Sequence, residues 1–423
     1  MSAELHTLAN GVRVLCDPMP GLETLALSVV AHGGARHEPK DRSGWSHLLE
    51  HMVFKGAGGR SAQAIVETVE DAGAQINAAT GYERTSFQVR ALKGCLPLGM
   101  EILSDLVFRP TLAEEELERE KEVVGQEIAE AYDTPDDHVF EMAQAKAFDG
   151  QPLGRPILGT VKSIGAARRD TLDAWRRRLY APAGLVVSVS GGVDGDELLA
   201  LAERWFGAEP RGEPSPPPEP ARFVGGHAAL ARRIEQANLV WQLPAPGSMD
   251  PAWYASRLFA EILGGGMASR LFQEAREKRG LAYSIDAWAD AYEDGGVIGV
   301  FAGAAPDKAE GLGRLVAEII QRLGEGATPA ELARAKAQLK TSLFMAEESP
   351  LARAERAAAQ VLVYGRVLGP AEIREGVDAV DLEGLRALAD RITARGACAT
   401  SVLGPKAART SGPAFAEALF GRA

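Results

Sequence analysis

The sequence predicts an α+β protein of two similar, duplicated domains, each a mostly antiparallel sheet covered by helices, joined by a proline-rich linker. Three observations carry this expectation. A proline-rich run from Glu209 to Pro220 (EPRGEPSPPPEP) falls almost at the midpoint of the 423-residue chain. Proline fixes φ and removes a donor, so such a run continues neither a helix nor a central strand and behaves as a semi-rigid spacer. The two flanks show strands and helices in similar order, the pattern of a repeated α+β unit. A hydrophobic content of 46% on a chain this long is enough for two cores. The expected boundaries are 1–209, a linker over 210–221, and 222–423.

Along the first half, Leu8 to Val14 sets Asn10-Gly11 between alternating apolar residues, which predicts a hairpin with a tight primed turn. A strand follows over Thr24 to Val30, then a helix from about Ser43. Ser61 starts an amphipathic helix to about Ala72, and Gln75 to Ala79 and Thr85 to Ala91 read as strands. Longer helical patterns cover Leu96 to Phe108, Ala113 to Tyr132 and Pro135 to Phe148; a last helix and the strand Leu185 to Ser190 close the half. The second half repeats the order more faintly. Ala237 to Leu243 reads as a strand, Pro251 to Leu263 as a helix, and a further helix starts at Ser269. Strands over Tyr283 to Trp288 and Gly296 to Phe301 precede helices through 306–393 and a strand at Ala399 to Leu403.

Composition excludes several classes. A net charge of −12 argues against non-specific nucleic-acid binding and is compatible with cationic substrates. The three cysteines, Cys16, Cys95 and Cys398, lack C-x-x-C spacing, which reads as a reducing compartment without disulfides or a thiolate metal site. Met1 to His6 shows no basic segment followed by an apolar one, and no apolar run is long enough for a bilayer. A cytoplasmic protein with no membrane or nucleic-acid partner is expected.

The residues that carry chemistry are His47, Glu50 and His51, in GWSHLLEHMVFKG from Gly44 to Gly56. Histidines four apart on a helix lie within roughly 40° of each other, so both imidazoles can reach one metal ion. Glu50 projects from the same side, where a carboxylate can take a proton from a bound water. Two histidines do not make a catalytic zinc site, which normally has three protein ligands and an open position. The glutamate-rich stretch Glu114 to Glu130 offers Glu120 and Glu127, seven apart on one face, with Glu130 adjoining at i+3. Spacing leaves these three open; Glu114 to Glu118 read as a solvated acidic face. His6, His32, His37, His138 and His227 lack partner spacing and read as surface or packing residues.

This constellation resembles the pitrilysin/insulinase metallopeptidase family, in its mitochondrial-processing-peptidase-like branch. The matching phrases are His47-Leu-Leu-Glu50-His51-Met-x-Phe-Lys-Gly56, the inverzincin order, and Glu122-Val-Val-Gly-Gln-Glu127-Ile, with Glu127 76 residues beyond His51. Ile76-Asn-Ala-Ala-Thr80, Gly264-Gly-Gly-Met-Ala-Ser-Arg-Leu-Phe272 and Arg276-Glu-Lys-Arg-Gly-Leu-Ala-Tyr283 extend the likeness over essentially the whole chain. Two departures are Trp45, where a smaller aliphatic is usual, and Ala57, where a threonine is common.

The resemblance implies one Zn²⁺ per chain held by His47, His51 and Glu127, with Glu50 as the base and Glu120 orienting a ligand histidine. It implies that Asn77 and Ala78 lie on an edge strand that pairs with extended substrate, and that Arg276 and Tyr283 reach the substrate near the metal. The activity implied is endopeptidase cleavage of unfolded peptides in an enclosed chamber, in a homodimer whose chains share their sites. Two alternatives stay open: a non-catalytic scaffold or peptide-binding member, and a catalytic subunit that needs a heterologous partner.

Overall fold

The computed structural model describes residues 3–421; Met1 and Ser2, which open the segment read for a leader, lie outside them, as do Arg422 and Ala423. The chain forms two compact units. The first comprises Met1–Ala129, Pro156–Pro218 and Phe344–Gly369; the second comprises Glu130–Arg155, Glu219–Leu343 and Pro370–Ala423.

In the first unit the strands are β1 (Glu4–Thr7), β2 (Arg13–Pro18), β3 (Thr24–Ala31), β4 (Gly56–Ala57), β5 (Arg60–Ser61), β6 (Gln75–Thr80), β7 (Thr85–Leu92) and β8 (Leu185–Gly191). The short β4 and β5 form a clip, and the other six make one sheet in the order β1-β2-β8-β3-β7-β6. Only β2 and β8 pair in parallel. The helices of the first half are α1 (Trp45–Val53), α2 (Ala62–Asp71), α3 (Leu96–Phe108), α4 (Glu114–Asp133), α5 (Pro135–Ala147), α6 (Val161–Gly165), α7 (Arg169–Leu179) and α8 (Gly195–Ala202). Along the strands the two-residue side-chain period divides the apolar residues between two faces. Val14, Val29 and Val187 join the core that holds Leu48, Leu103 and Leu172. Their neighbours Leu15, Val30 and Val186 pack instead against Ala357, Ala358 and Val361 of α12 (Pro350–Tyr364).

The second unit repeats this plan. Its strands β9 (Gly226–Ala231), β10 (Ala237–Ala245), β11 (Ser284–Ala291), β12 (Gly296–Ala304) and β13 (Ala399–Gly404) form the order β11-β12-β10-β13-β9, again with one parallel pair, β9 with β13. Besides α12, the later helices are α9 (Trp253–Gly264), α10 (Ala309–Glu325), α11 (Pro329–Ala346), α13 (Pro370–Ala379), α14 (Leu382–Thr393) and α15 (Ser411–Phe420). Leu239, Trp241 and Val402 share a core with Leu258, Val316 and Phe415, whereas Val240 and Leu403 pack against Val139 and Ala143 of α5.

The expected boundaries therefore need correction. The change of unit between Pro218 and Glu219 does fall inside the proline-rich run, which carries no regular structure. The segment 130–155 belongs to the second unit and the segment 344–369 to the first. The reason is physical: each sheet has two apolar faces, and one face of each is covered by a helix from the other half of the sequence.

Most other elements match the expected spans within two or three residues. The first turn does not. Thr7 pairs with Arg13, so five residues, Leu8 to Val12, separate the strands, and of Asn10 and Gly11 only Gly11 takes a positive φ. A type I′ turn needs both and a type II′ turn needs the first, Asn10, so neither forms. Asn10 is used for tertiary contacts: its Nδ2 donates to the carbonyls of Phe206 (2.7 Å) and Glu209 (2.9 Å). β9, half of it alanine, gives little strand signal from sequence. Among the described residues no helix is long and apolar enough to cross a membrane.

A bidentate ion pair pins α12 to its sheet. Arg353 Nε and Nη2 donate to the two Asp17 oxygens at 2.7 and 2.6 Å, and Ser190 Oγ donates to Asp17 at 3.0 Å. Asp17 is buried, so removing its partner strands a charge. Arg353→Met is expected to cost about 3 kcal/mol of stability, read as a lower midpoint in urea unfolding; an unchanged midpoint would show that the pair does not hold the helix.

Candidate metal centre

The motif helix is held on several sides. Gly44 starts it with φ +88°, and a Cβ there would lie 2.4 Å from the Leu158 carbonyl oxygen, so this position requires glycine. Two free N–H groups at the helix start are taken by one buried side chain: Glu38 accepts from Gly44 N and Ser46 N, both at 2.7 Å. Trp45, the larger residue where an aliphatic is usual, is buried and donates its indole N–H to Ser163 O at 2.9 Å. Trp175 donates to Ser46 Oγ at 3.3 Å. Ala57, the second departure, is also buried, in β4.

With Leu48, Leu49, Met52 and Val53 in the core, His47, Glu50 and His51 are left half-buried on the other side of α1. Their rings confirm the shared face, the two imidazole centroids lying 4.7 Å apart. Helix α4 lies against this side because Leu117, Glu120 and Val124 form its buried face. The next turn places Glu127 Oε2 3.8 Å from His47 Nε2 and 3.6 Å from His51 Nε2. Two turns before Glu127, Glu120 Oε2 is 3.0 Å from His51 Nδ1. Glu130 is exposed and stands outside the group.

The donor set fits a divalent metal ion. His47, His51 and Glu127 each offer one ligand atom, and these lie within 4.8 Å of one another. Ligands at zinc bond lengths in a tetrahedron are about 3.4 Å apart, close to the two distances found here. Burial, then the neighbouring His51, pushes the His47 imidazole down to about 4, so it is neutral with a lone pair to give. Its Nδ1 is buried with no partner among the described residues. Glu120 is placed to orient His51: with the proton on Nδ1, that nitrogen would donate to Glu120 Oε2 and leave the Nε2 lone pair on the side of Glu127.

Three neighbours of these groups, Lys55, Glu38 and Thr80, carry no assigned role in the sequence reading. Lys55 Nζ reaches Glu120 Oε1 at 2.7 Å, giving that buried carboxylate a counter-charge while its other oxygen serves His51. The Phe54-Lys-Gly phrase was the available signal. Glu38 left no local signal, since its role depends on where the chain returns to the helix. Glu50 itself is held by Thr80, whose Oγ1 donates to Oε2 at 2.5 Å. Burial raises the Glu50 carboxyl above its ordinary range, opposed by the hydrogen bonds from Thr80 and by the charge of His51.

Asn77 and Ala78 lie in β6, the edge strand of the first sheet, with Asn77 exposed and Ala78 half-buried. Arg276 and Tyr283 belong to the second unit. Arg276 is exposed in the π-helical segment Phe272–Lys278, with its guanidinium 4.7 Å from the Phe272 ring centroid. Tyr283, just ahead of β11, is 63% exposed.

Known proteins match both halves. The family described as Insulinase (Peptidase family M16) matches residues 13–161, and that described as Peptidase M16 inactive domain matches 166–339. An uncharacterized zinc protease of Rickettsia bellii is 36% identical over 399 residues, covering 94% of this chain and 96% of that one. An uncharacterized zinc protease of Bacillus subtilis is 33% identical over 389 residues, covering 92% and 95%. Among solved structures, a protease from Helicobacter pylori aligns with a TM-score of 0.90 at 21% identity, covering 95% of this chain and 99% of that one, a likeness of fold.

Proposed function

The chain belongs to the insulinase family, peptidase family M16, and we propose that it is a zinc-dependent endopeptidase acting on extended, unfolded peptides, with one Zn²⁺ per chain. The observation that carries this reading is the convergence of His47 Nε2, His51 Nε2 and Glu127 Oε2 beside a carboxylate, Glu50, that is not spent as a ligand.

His47, His51 and Glu127 would hold the ion. When bound, zinc supplies Lewis acidity, acidifying a bound water and polarising a carbonyl. Glu50 would accept the water's proton and deliver it to the leaving amine; its raised affinity for a proton suits it to carry one. Among the described residues β6 pairs in the sheet with β7 alone, and a sheet edge can accept a further strand on its other side. An extended peptide can add there as a further strand, with Asn77 available to hydrogen-bond it. Arg276 and Tyr283 are assigned to substrate binding on the family resemblance.

Purified chain should cleave a quenched unstructured peptide, lose that cleavage to a chelator, and regain it with Zn²⁺. Zinc binding without cleavage would support a peptide-binding scaffold and overturn the enzymatic reading. The proposed assembly is a homodimer in which each site combines the metal half of one chain with Arg276 and Tyr283 of the other. Mixing Glu50→Gln chains with Arg276→Ala chains should then restore activity. Lack of rescue, with subunit exchange confirmed, would place each complete site within one chain.

A further inference from the structure

Thr80 ends β6 and lies opposite Thr85 in the β6–β7 ladder. Along β6, Ile76, Ala78 and Thr80 are the half-buried alternation, and Gln75, Asn77 and Ala79 are exposed. The corner that follows is tied down by backbone hydrogen bonds. Gly81 N donates to Arg84 O at 2.8 Å, Ala35 N to Gly81 O at 3.0 Å, and Arg36 N to Tyr82 O at 2.7 Å. The buried Arg36–Glu83 ion pair, at 2.5 Å, ties the same turn down. Thr85 is buried as well, with its hydroxyl on Gly33 O at 3.0 Å. From this frame Thr80 Oγ1 reaches Glu50 Oε2 at 2.5 Å.

A glutamate's last torsion is broad, so packing alone does not decide which oxygen faces a reacting water. A hydroxyl donated from a fixed strand does decide it. We propose, on the peptidase reading above, that Thr80 is a positioning residue: its hydroxyl engages Glu50 Oε2 and so fixes how the carboxylate faces the reacting water. Because Thr80 also closes the edge strand, a peptide paired along β6 and the base that acts on it are set by one backbone element. Thr80 thus links the docking of substrate to the orientation of the base.

The test compares Thr80→Val and Thr80→Ser in the full, zinc-loaded chain. Valine keeps the shape and removes the hydroxyl donor, serine keeps it, and the Thr80 backbone contact with Glu50 is common to both variants. Losing a hydrogen bond to a charged group corresponds to about 10- to 100-fold. Thr80→Val is therefore expected to lower kcat by that factor with KM and zinc content unchanged, and Thr80→Ser to retain most of the rate. The ¹³C signal of the Glu50 carboxylate, assigned by its absence in Glu50→Gln, should move in Thr80→Val and stay in Thr80→Ser. An unmoved signal, a Val variant as fast as wild type, or equal loss in both variants overturns the role of Thr80. Absence of chelator-sensitive cleavage in the wild-type chain overturns the peptidase reading instead, and the carboxylate signal still decides whether Thr80 holds Glu50.

Discussion

Glu50→Gln is expected to abolish turnover, by about 1,000-fold or more, while zinc content and fold stay as in wild type. The substitution is nearly isosteric, and the amide oxygen can still accept from Thr80 Oγ1, so the local structure has no reason to change. What disappears is the ability to take and return a proton. Glu50 is absent from the cluster of His47, His51 and Glu127 that could hold the ion, which is why metal content should be untouched. The measurement pairs zinc analysis with cleavage of a quenched peptide. Substantial residual turnover with zinc in place would remove Glu50 as the base.

Glu127→Gln should have the second-largest effect, acting on the metal itself. It removes the one negative charge among three ligands, and zinc affinity should fall by more than about 100-fold, beyond the range found when only an outer partner of a ligand is lost. Two comparisons give the experiment its resolution. Glu120→Gln, which weakens the hold on His51 without touching the ion, should cost about 10- to 100-fold. Glu130→Gln should cost nothing, because Glu130 is exposed and outside the cluster. Titration of the metal-free chains with zinc ranks all three. Loss of metal in Glu130→Gln with retention in Glu127→Gln would reverse the assignment of the third ligand.

Much of this site was legible in the chain itself. His47, Glu50 and His51 sit within one and a half turns, so helix geometry alone sets them on one side. The breaks at the proline-rich run, the strands Thr24–Ala31 and Thr85–Leu92 and the helix Leu96–Phe108 all show as local periodicity or local backbone chemistry. The choice among Glu120, Glu127 and Glu130 could not be made that way. All three lie on the same stretch of α4, and what separates them is burial against α1: Glu120 is buried, Glu127 half-buried and Glu130 exposed. Burial of a carboxylate depends on partners far away in sequence.

The same distinction explains the two corrections. Asn10-Gly11 is a strong signal for a primed turn, but the Asn10 amide gains more from the carbonyls of Phe206 and Glu209, almost two hundred residues on. The helix α5 is read from sequence at its own span and α12 only within the helical stretch 306–393, and nothing in either pattern says whose sheet it covers. An apolar stripe fits any complementary apolar face, and the exchange between units follows from which face each sheet leaves uncovered. The sequence by itself thus determined the motif helix, the order of elements and the pool of carboxylates, because those rest on contacts within a few residues. Spacing left the third carboxylate open and the family resemblance alone pointed to Glu127; the tertiary structure brings it to the histidines, and only that structure decided that Lys55 and Thr80 hold Glu120 and Glu50 and which unit owns each helix, because those rest on burial and charge compensation between distant segments.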